Sequence, residues 1–194
     1  MVLTPDRGGY TRAAQLLRGG GVVAFPTDTV YGLGAAAGDE IAQKRIFAMK
    51  NRPVGMPLIL MAAARSQLAG WVHVDSRAEE FISRWWPGPL TLILHSLGGR
   101  TLGVRIPNHE VALELLRASG PLMTTSANLH GKDPAMTAEE AAELPGLAAI
   151  LDGGRAPGGT ASTVLDLTGP QPHILREGAI LAGDLLGPPP PRAG

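Results

Sequence analysis

The chain has 194 residues, no cysteine and a formal net charge of +0, its 17 basic side chains balanced by 17 acidic ones. That length suits one domain able to bury a core unaided, and the lack of thiols excludes disulfides, cysteine nucleophiles and thiolate-bound zinc. Balanced charge argues against a protein that lives by gripping nucleic-acid phosphates. No apolar run approaches the roughly 18 residues of a membrane span, and the first residues lack the charged-then-apolar pattern of a signal peptide, so the expectation is a cytoplasmic protein without membrane contact.

Residues 10–18 predict a helix with Ala13, Ala14, Leu16 and Leu17 as its apolar stripe and Gly19-Gly20-Gly21 as its stop. Val22-Val23-Ala24-Phe25 reads as a short buried strand ended by Pro26. The next stretch, Thr27-Asp28-Thr29-Val30-Tyr31-Gly32-Leu33-Gly34, reads as a polar loop with two glycines, at the kind of strand end where α/β proteins place ligands. Its plainer reading is a turn with an Asp or Thr helix cap. Asp39 is expected to cap a helix through Met49, which Pro53 prevents from continuing, and 58–61 reads as a second buried strand. Ser76 with Glu79 forms a capping box for a helix to Trp86, where Trp85 and Trp86 point about 100° apart, so only one is expected to be fully buried.

Residues 90–95 and 102–106 read as strands joined by a glycine-bearing hairpin, and Asn108 as the cap of a helix through Ala118. A strand at 122–126, a helix opened by Thr137 and Glu140, strands at 149–151, 163–167 and 173–176, and a helix at 180–186 complete the pattern. Residues 187–194, with four consecutive prolines, read as an extended tail. Helices interleaved with strands, at least one pair hairpin-linked, predict an α/β domain over 1–186 with a mixed sheet flanked by helices.

No phosphate loop, dinucleotide fingerprint, Gly-x-Ser-x-Gly elbow or His-Glu-x-x-His helix is present, and the five histidines are too scattered to ligate a metal. The candidate chemistry lies at strand ends. In 102–106, period-two alternation sets Arg105 on the face opposite Leu102, Val104 and Ile106, where it must meet water, a carboxylate or an anionic ligand. The same alternation puts Thr124 and Ser126 on one face, with Asn128 just beyond, three neutral groups suited to a carboxylate or a nucleotide edge. Lys50 and Arg52 are either a polyphosphate clamp or two solvated cations. The glycine-rich stretch from Asp152 to Val164 delivers Ser162, with Arg176 further on, and reads as a lid or a long surface connection.

Taken in order, Pro26-Thr27-Asp28-Thr29-Val30-Tyr31-Gly32-Leu33-Gly34, Lys50-x-Arg52 before Pro57-Leu58, Trp86-Pro87-Gly88-Pro89-Leu90-Thr91, Val104-Arg105-Ile106-Pro107, Thr125-Ser126-Ala127-Asn128, Asp152-Gly153-Gly154, Ser162-Thr163-Val164 and Leu175-Arg176-x-Gly178 resemble the YrdC-like family of threonylcarbamoyl-AMP synthases. The resemblance runs from about residue 10 to 182. It implies a twisted α/β sheet with an open, concave, positively charged groove. It implies a reaction of L-threonine, bicarbonate and ATP to threonylcarbamoyl-AMP and pyrophosphate, the first step of threonylcarbamoyladenosine formation in tRNA. Carried over by position, Thr27, Arg105, Thr124 and Ser162 would contact threonine, with Ser162 where the two substrates meet. Lys50, Arg52, Thr101, Ser126, Asn128 and Arg176 would contact ATP, with Lys50 and Arg52 as the catalytic pair. Magnesium would ride on the nucleotide, and no metal site is implied in the protein. Downstream threonylcarbamoyl-transferase proteins and a weak tRNA contact complete the implied partners.

Three departures stand out. Longer members carry a histidine where this chain has Met61, and many members have lysine at Met56 and serine at Pro134. Longer members also have a second C-terminal domain, so this chain resembles the short form. Two other readings remain open: an RNA-binding module using the same groove, and, as the resemblance also implies, a carbamoyl-transfer domain with another acceptor.

Overall fold

A computed structural model describes residues 1–51, 53 and 55–187; Arg52, Val54 and 188–194 lie outside the described residues, and with them one cation of the expected phosphate clamp and nearly all of the expected tail. The chain runs β1 (Val2–Leu3), α1 (Arg7–Arg18), β2 (Val23–Pro26), β3 (Tyr31–Ala36), α2 (Glu40–Met49), β4 (Ile59–Met61) and a 3-10 turn (Arg65–Leu68). It continues through α3 (Ser76–Trp85), β5 (Leu90–His95), β6 (Thr101–Arg105), α4 (Glu110–Ser119), β7 (Leu122–Ser126) and α5 (Ala138–Ala142). Last come β8 (Ala149–Leu151), β9 (Thr163–Asp166), β10 (His173–Arg176) and α6 (Ala182–Leu186). The strands form one 10-stranded sheet in the order β1-β8-β2-β3-β7-β4-β6-β5-β9-β10. It is mixed: β5 and β6 form the expected antiparallel pair, while β4 with β6 and β5 with β9 run parallel.

Local chemistry explains most boundaries. Asp39 and Thr137 cap α2 and α5 by accepting from the backbone N–H of Ala42 and Glu140. For α3 the cap is Asp75 and not Ser76: Asp75 keeps extended backbone and accepts from Ala78 N, while Ser76 is already helical. α4 starts after His109 and not Asn108, with no side-chain cap. Neither tryptophan is fully buried; both sit half-covered, and Trp86 Nε1 donates to Leu90 O at 2.7 Å.

The largest departure from expectation is β3. Its glycines suggest a loop, yet Tyr31–Ala36 pairs with β2 on one side and β7 on the other, leaving only Thr27–Val30 as the turn. Glycine is there for packing. A Cβ at Gly34 would stand 2.9 Å from Leu122 Cδ1 and 3.0 Å from Phe25 Cε1.

Strand alternation sorts the side chains into layers. Leu60, Leu92, Val104 and Leu165 pack with Phe81 and Ile82 of α3. Ala24, Leu33 and Ile150 pack with Ile46 of α2 and Ala141 of α5. These two clusters cover one face of the sheet. On the other face, Phe25, Leu122 and Ala149 lie under Ala13 and Leu17 of α1 and Leu115 and Leu116 of α4. Each fully buried Leu or Phe contributes about 2 kcal/mol of apolar transfer, so these three clusters hold the sheet without staples. The two helices cover this second face from β8 towards β7, with Met61 of β4 at the edge of their cluster. Beyond them, β4, β6, β5 and β9, with the ends of β3 and β7, form the floor of a cavity.

Candidate active site

A cavity of about 400 Å³ opens on that floor. Six of the residues singled out from the sequence line it together: Thr27, Arg105, Thr124, Ser126, Ser162 and Arg176. They come from the turn after β2, from β6, β7 and β10, and from the end of the loop before β9. Sheet register brings them into one place: Gly32 pairs with Ser126, Gly34 with Thr124, Ile59 with both Thr124 and Gly103, and Met61 with Arg105.

Arg105 is the most constrained cation of the site, only 3% exposed. Its Nε donates to Gly88 O at 3.0 Å, Nη1 to Thr29 Oγ1 at 3.1 Å and Nη2 to Asp28 Oδ1 at 2.7 Å. Both sequence alternatives for this arginine therefore hold together: it is paired with an acid, and it faces the cavity. Burial pulls its pKa down while Asp28 pushes it back up, so the carboxylate compensates the charge. A guanidinium has five N–H donors, and these bonds use three of them. One N–H on each terminal nitrogen remains for a ligand.

The hydroxyls around Arg105 can be assigned. Thr27 Oγ1 donates to Val30 O at 2.7 Å, so the 2.9 Å contact between Thr27 and Thr29 is a donation from Thr29 to Thr27. Thr29 in turn accepts from Arg105. Thr124 Oγ1 donates to Ile59 O at 3.2 Å, and Ser126 Oγ to Asn128 Oδ1 at 2.5 Å. These four hydroxyl protons are committed within the protein.

On the far side of the cavity, Thr91 Oγ1 and Ser162 Oγ lie 2.8 Å apart, so one of them keeps a proton for something else. Arg176 donates to Ser162 O from Nε at 3.2 Å and Nη2 at 2.9 Å, and to Ser162 Oγ at 3.3 Å. Gly178 allows that approach, since a Cβ there would stand 2.2 Å from Ala161 O. Burial lowers the Arg176 pKa.

Three described residues of the expected set do not line this cavity. Thr101 is exposed at the start of β6, on the Gly103 and Arg105 face but farther along. Asn128 sits in the turn after β7, its amide donating to Leu129 O and Lys132 O. Lys50 is 1% exposed and its Nζ donates to Ser126 O at 2.5 Å, Asn128 O at 2.6 Å and Asn128 Oδ1 at 3.0 Å. It thus holds the Ser126–Asn128 turn in shape from within.

Sequence reasoning missed Thr29 and Thr91 as side chains of the site, and Tyr31 as an anchor behind it. Period-two alternation from Leu90 points Thr91 into the floor, opposite Leu90 and Leu92, and was the signal available for it. Tyr31 is buried in β3 and its hydroxyl donates to Gly154 O at 2.7 Å. Desolvation, with Asp152 nearby, raises its pKa to about 12, so it stays a neutral donor. That bond, together with Gly159 N to Thr29 O and Ala156 N to Met136 O, both 2.8 Å, pins the glycine-rich loop down. Among the described residues, no group of three or more His, Asp or Glu is placed to hold a metal ion, and no helix is long and apolar enough to cross a membrane.

An arginine fork at one end, and a hydroxyl pair and a second arginine at the other, suit a small carboxylate lying beside a phosphate-bearing ligand. Comparison with known proteins agrees in fold and in kind. Residues 15–178 match the Sua5/YciO/YrdC family model, described as telomere recombination. The threonylcarbamoyl-AMP synthase of Pyrococcus abyssi is 44% identical over 181 residues, covering 87% of this chain and 53% of that protein. A putative threonylcarbamoyl-AMP synthase of Mycobacterium tuberculosis is 36% identical over 184 residues, covering 89% and 85%. Among solved structures, P. abyssi Sua5 complexed with L-threonine superposes with a TM-score of 0.87 at 41% identity, covering 92% of this chain and 57% of that one. Escherichia coli YciO gives 0.81 at 31% identity, covering 92% and 94%. The chain spans about half the length of the P. abyssi and Bacillus subtilis relatives, 53% of each.

Proposed function

The chain belongs to the Sua5/YciO/YrdC family, and from that premise we propose that it is a threonylcarbamoyl-AMP synthase. Threonine's amine and bicarbonate combine to a carbamate with loss of water. A carbamate oxygen then attacks the α-phosphorus of ATP, forming the P–O bond of the adenylate as the bond to the leaving pyrophosphate breaks. The nucleophile is already anionic, so the protein's task is to position the reactants and stabilise charge. Magnesium arrives on ATP as part of the substrate.

The observation that carries the reading is the buried Arg105, held by Asp28, Thr29 and Gly88, with one N–H left on each terminal nitrogen at a cavity whose other end holds Ser162 and Arg176. The arginine fork takes the threonine carboxylate. The uncommitted proton of the Thr91–Ser162 pair meets the carbamate, and Arg176 offsets phosphate charge. Thr124 offers the amino acid a lone pair and not a proton, while Thr27, whose oxygen already accepts from Thr29 and Val30, holds Thr29 against Arg105. Lys50 acts by shaping the Ser126–Asn128 turn against the nucleotide, and Arg52 and Thr101 serve the ATP phosphates. The product leaves for threonylcarbamoyl-transferase proteins that act on tRNA, which places the reaction in the cytoplasm and allows a weak tRNA contact at the groove.

The test is pyrophosphate release from ATP. It should require L-threonine, bicarbonate and magnesium together, and Arg105→Ala should raise KM for threonine tenfold or more. Release without an amino acid would contradict the reading, as would activity that persists in excess chelator. A carbamoyl-transfer activity with another acceptor would be recognised by its indifference to amino acids.

A further inference from the structure

The cavity wall beside Arg105 is apolar. Met61 neighbours Arg105 in the β4–β6 ladder, and Ile59 neighbours Gly103, so all four side-chain positions face the cavity together. Met61 is 3% exposed and belongs to the apolar cluster that holds Val111 and Leu116 of α4. An amino acid whose carboxylate sits on the Arg105 fork therefore lays its side chain against a thioether and an isoleucine.

The polar groups near that wall do not read a hydroxyl. Thr27, Thr29 and Thr124 have each committed their proton inside the protein, to Val30 O, Thr27 Oγ1 and Ile59 O. Thr27 Oγ1 already accepts from Thr29 Oγ1, Thr29 N and Val30 N, and Thr29 from Arg105, so what remains to offer is a lone pair on Thr29 and those of Thr124. Threonine's hydroxyl can donate to Thr124 Oγ1, which shares this face with Ile59. If a methyl group stands in the hydroxyl's place, none of Thr27, Thr29 and Thr124 is left with an unpartnered proton, and the methyl lies on the wall that Met61 and Ile59 form. A site loses an analogue by a factor of 10⁴ or more only where that loss strands a buried polar group; an apolar slot separates isosteres by roughly 100-fold.

We propose that this slot reads the branched shape of the amino acid and not its hydroxyl, so that L-valine is a second substrate beside L-threonine, with Met61 as the residue that sets this tolerance. The inference rests on the synthase reading. It concerns specificity alone: the carbamate forms on valine's amine and the same bond to the α-phosphorus is made.

The experiment measures kcat/KM for pyrophosphate release with L-threonine and with L-valine, on the wild-type chain, Met61→Gln and Met61→Leu, alongside the melting temperature with each amino acid in the absence of ATP. The wild-type preference for threonine should be no more than about 10³-fold, and both amino acids should raise Tm. Met61→Gln keeps the length of the side chain but adds an amide that valine leaves unpaired, so the preference should grow at least tenfold; Met61→Leu should keep it. A wild-type preference above about 10³-fold, or a ratio unchanged in Met61→Gln, overturns the proposal. Should Met61→Gln fail to fold, the wild-type ratio alone decides. Release with threonine only defeats this inference and leaves the synthase reading standing, whereas no release and no Tm shift with either amino acid defeats both.

Discussion

At the scale of single residues, the site is organised by two buried cations that are compensated differently. Arg105 pairs with Asp28, their side chains 4% and 11% exposed, and removing one member of such a pair strands the other. Asp28→Ala should therefore cost about 3 kcal/mol in urea unfolding and also raise KM for threonine, because the guanidinium loses its anchor. A loss of stability with unchanged KM would show that Gly88 and Thr29 alone suffice to aim the fork. Lys50 is held by Ser126 O and both oxygens of Asn128. Lys50→Met should cost about 1–3 kcal/mol for each carbonyl left dry, and turnover should fall with it as the turn relaxes. His109 adds a pH dependence. Its Nδ1 and Asp28 Oδ2 are both buried without a hydrogen-bond partner among the described residues. Burial lowers its pKa below 6.5, against the opposing pull of Asp28 and Glu110. The unfolded chain then binds the proton more readily than the native one, so stability is full above pH 6.5 and declines as pH falls from there towards the lowered value. His109→Gln should flatten that decline in unfolding measured across acidic pH; an equal slope in both proteins would place the proton uptake elsewhere.

At the scale of elements, the glycine-rich loop and the Thr27–Val30 turn are one unit. A Cβ on Gly158 would stand 2.5 Å from Asp28 O and 2.9 Å from Thr29 Cα, backbone that cannot yield as a side-chain end would. Gly158→Ala should displace the loop, break the Gly159 N to Thr29 O bond and weaken threonine binding at least tenfold, read as the loss of threonine-induced Tm shift. Unchanged binding would mean that the loop only covers the turn. These elements also show how far the sequence could be read. Helix starts at Asp39 and Thr137, the β5–β6 hairpin and the shared face of Thr124 and Ser126 follow from caps and alternation, which act within a few residues. β3 was hidden because glycine carries two opposite meanings, turning and close packing, and only Phe25 and Leu122, neither of them inside the segment, decide between them at Gly34. The role of Lys50 was hidden for a similar reason. A lysine beside a helix end looks solvated until β7 and its turn, some 76 residues away in sequence, arrive to surround its ammonium. Arg105 was legible as a charge that needed a partner, but Asp28 as that partner was a fact of the sheet order alone.

At the scale of the whole molecule, function follows from an unequal covering of one sheet. Two apolar clusters under α2, α3 and α5 close one face, while α1 and α4 close only part of the other, and the polar ends of five separate segments converge on what is left. The neutral net charge fits a site in which Arg105 is compensated by Asp28 and Arg176 is left to meet an anion brought by the ligand. The floor is built from strands paired on both sides, so it is preformed, and binding should stabilise the fold without reorganising it: ATP and threonine together should raise Tm more than either alone. The most direct test of the account is mass spectrometry of the product formed from ATP, L-threonine and ¹³C-bicarbonate. The account predicts a threonylcarbamoyl adenylate that carries the label, in amounts matching the pyrophosphate released. Pyrophosphate released with no labelled adenylate, or an adenylate without the carbamoyl carbon, would contradict it.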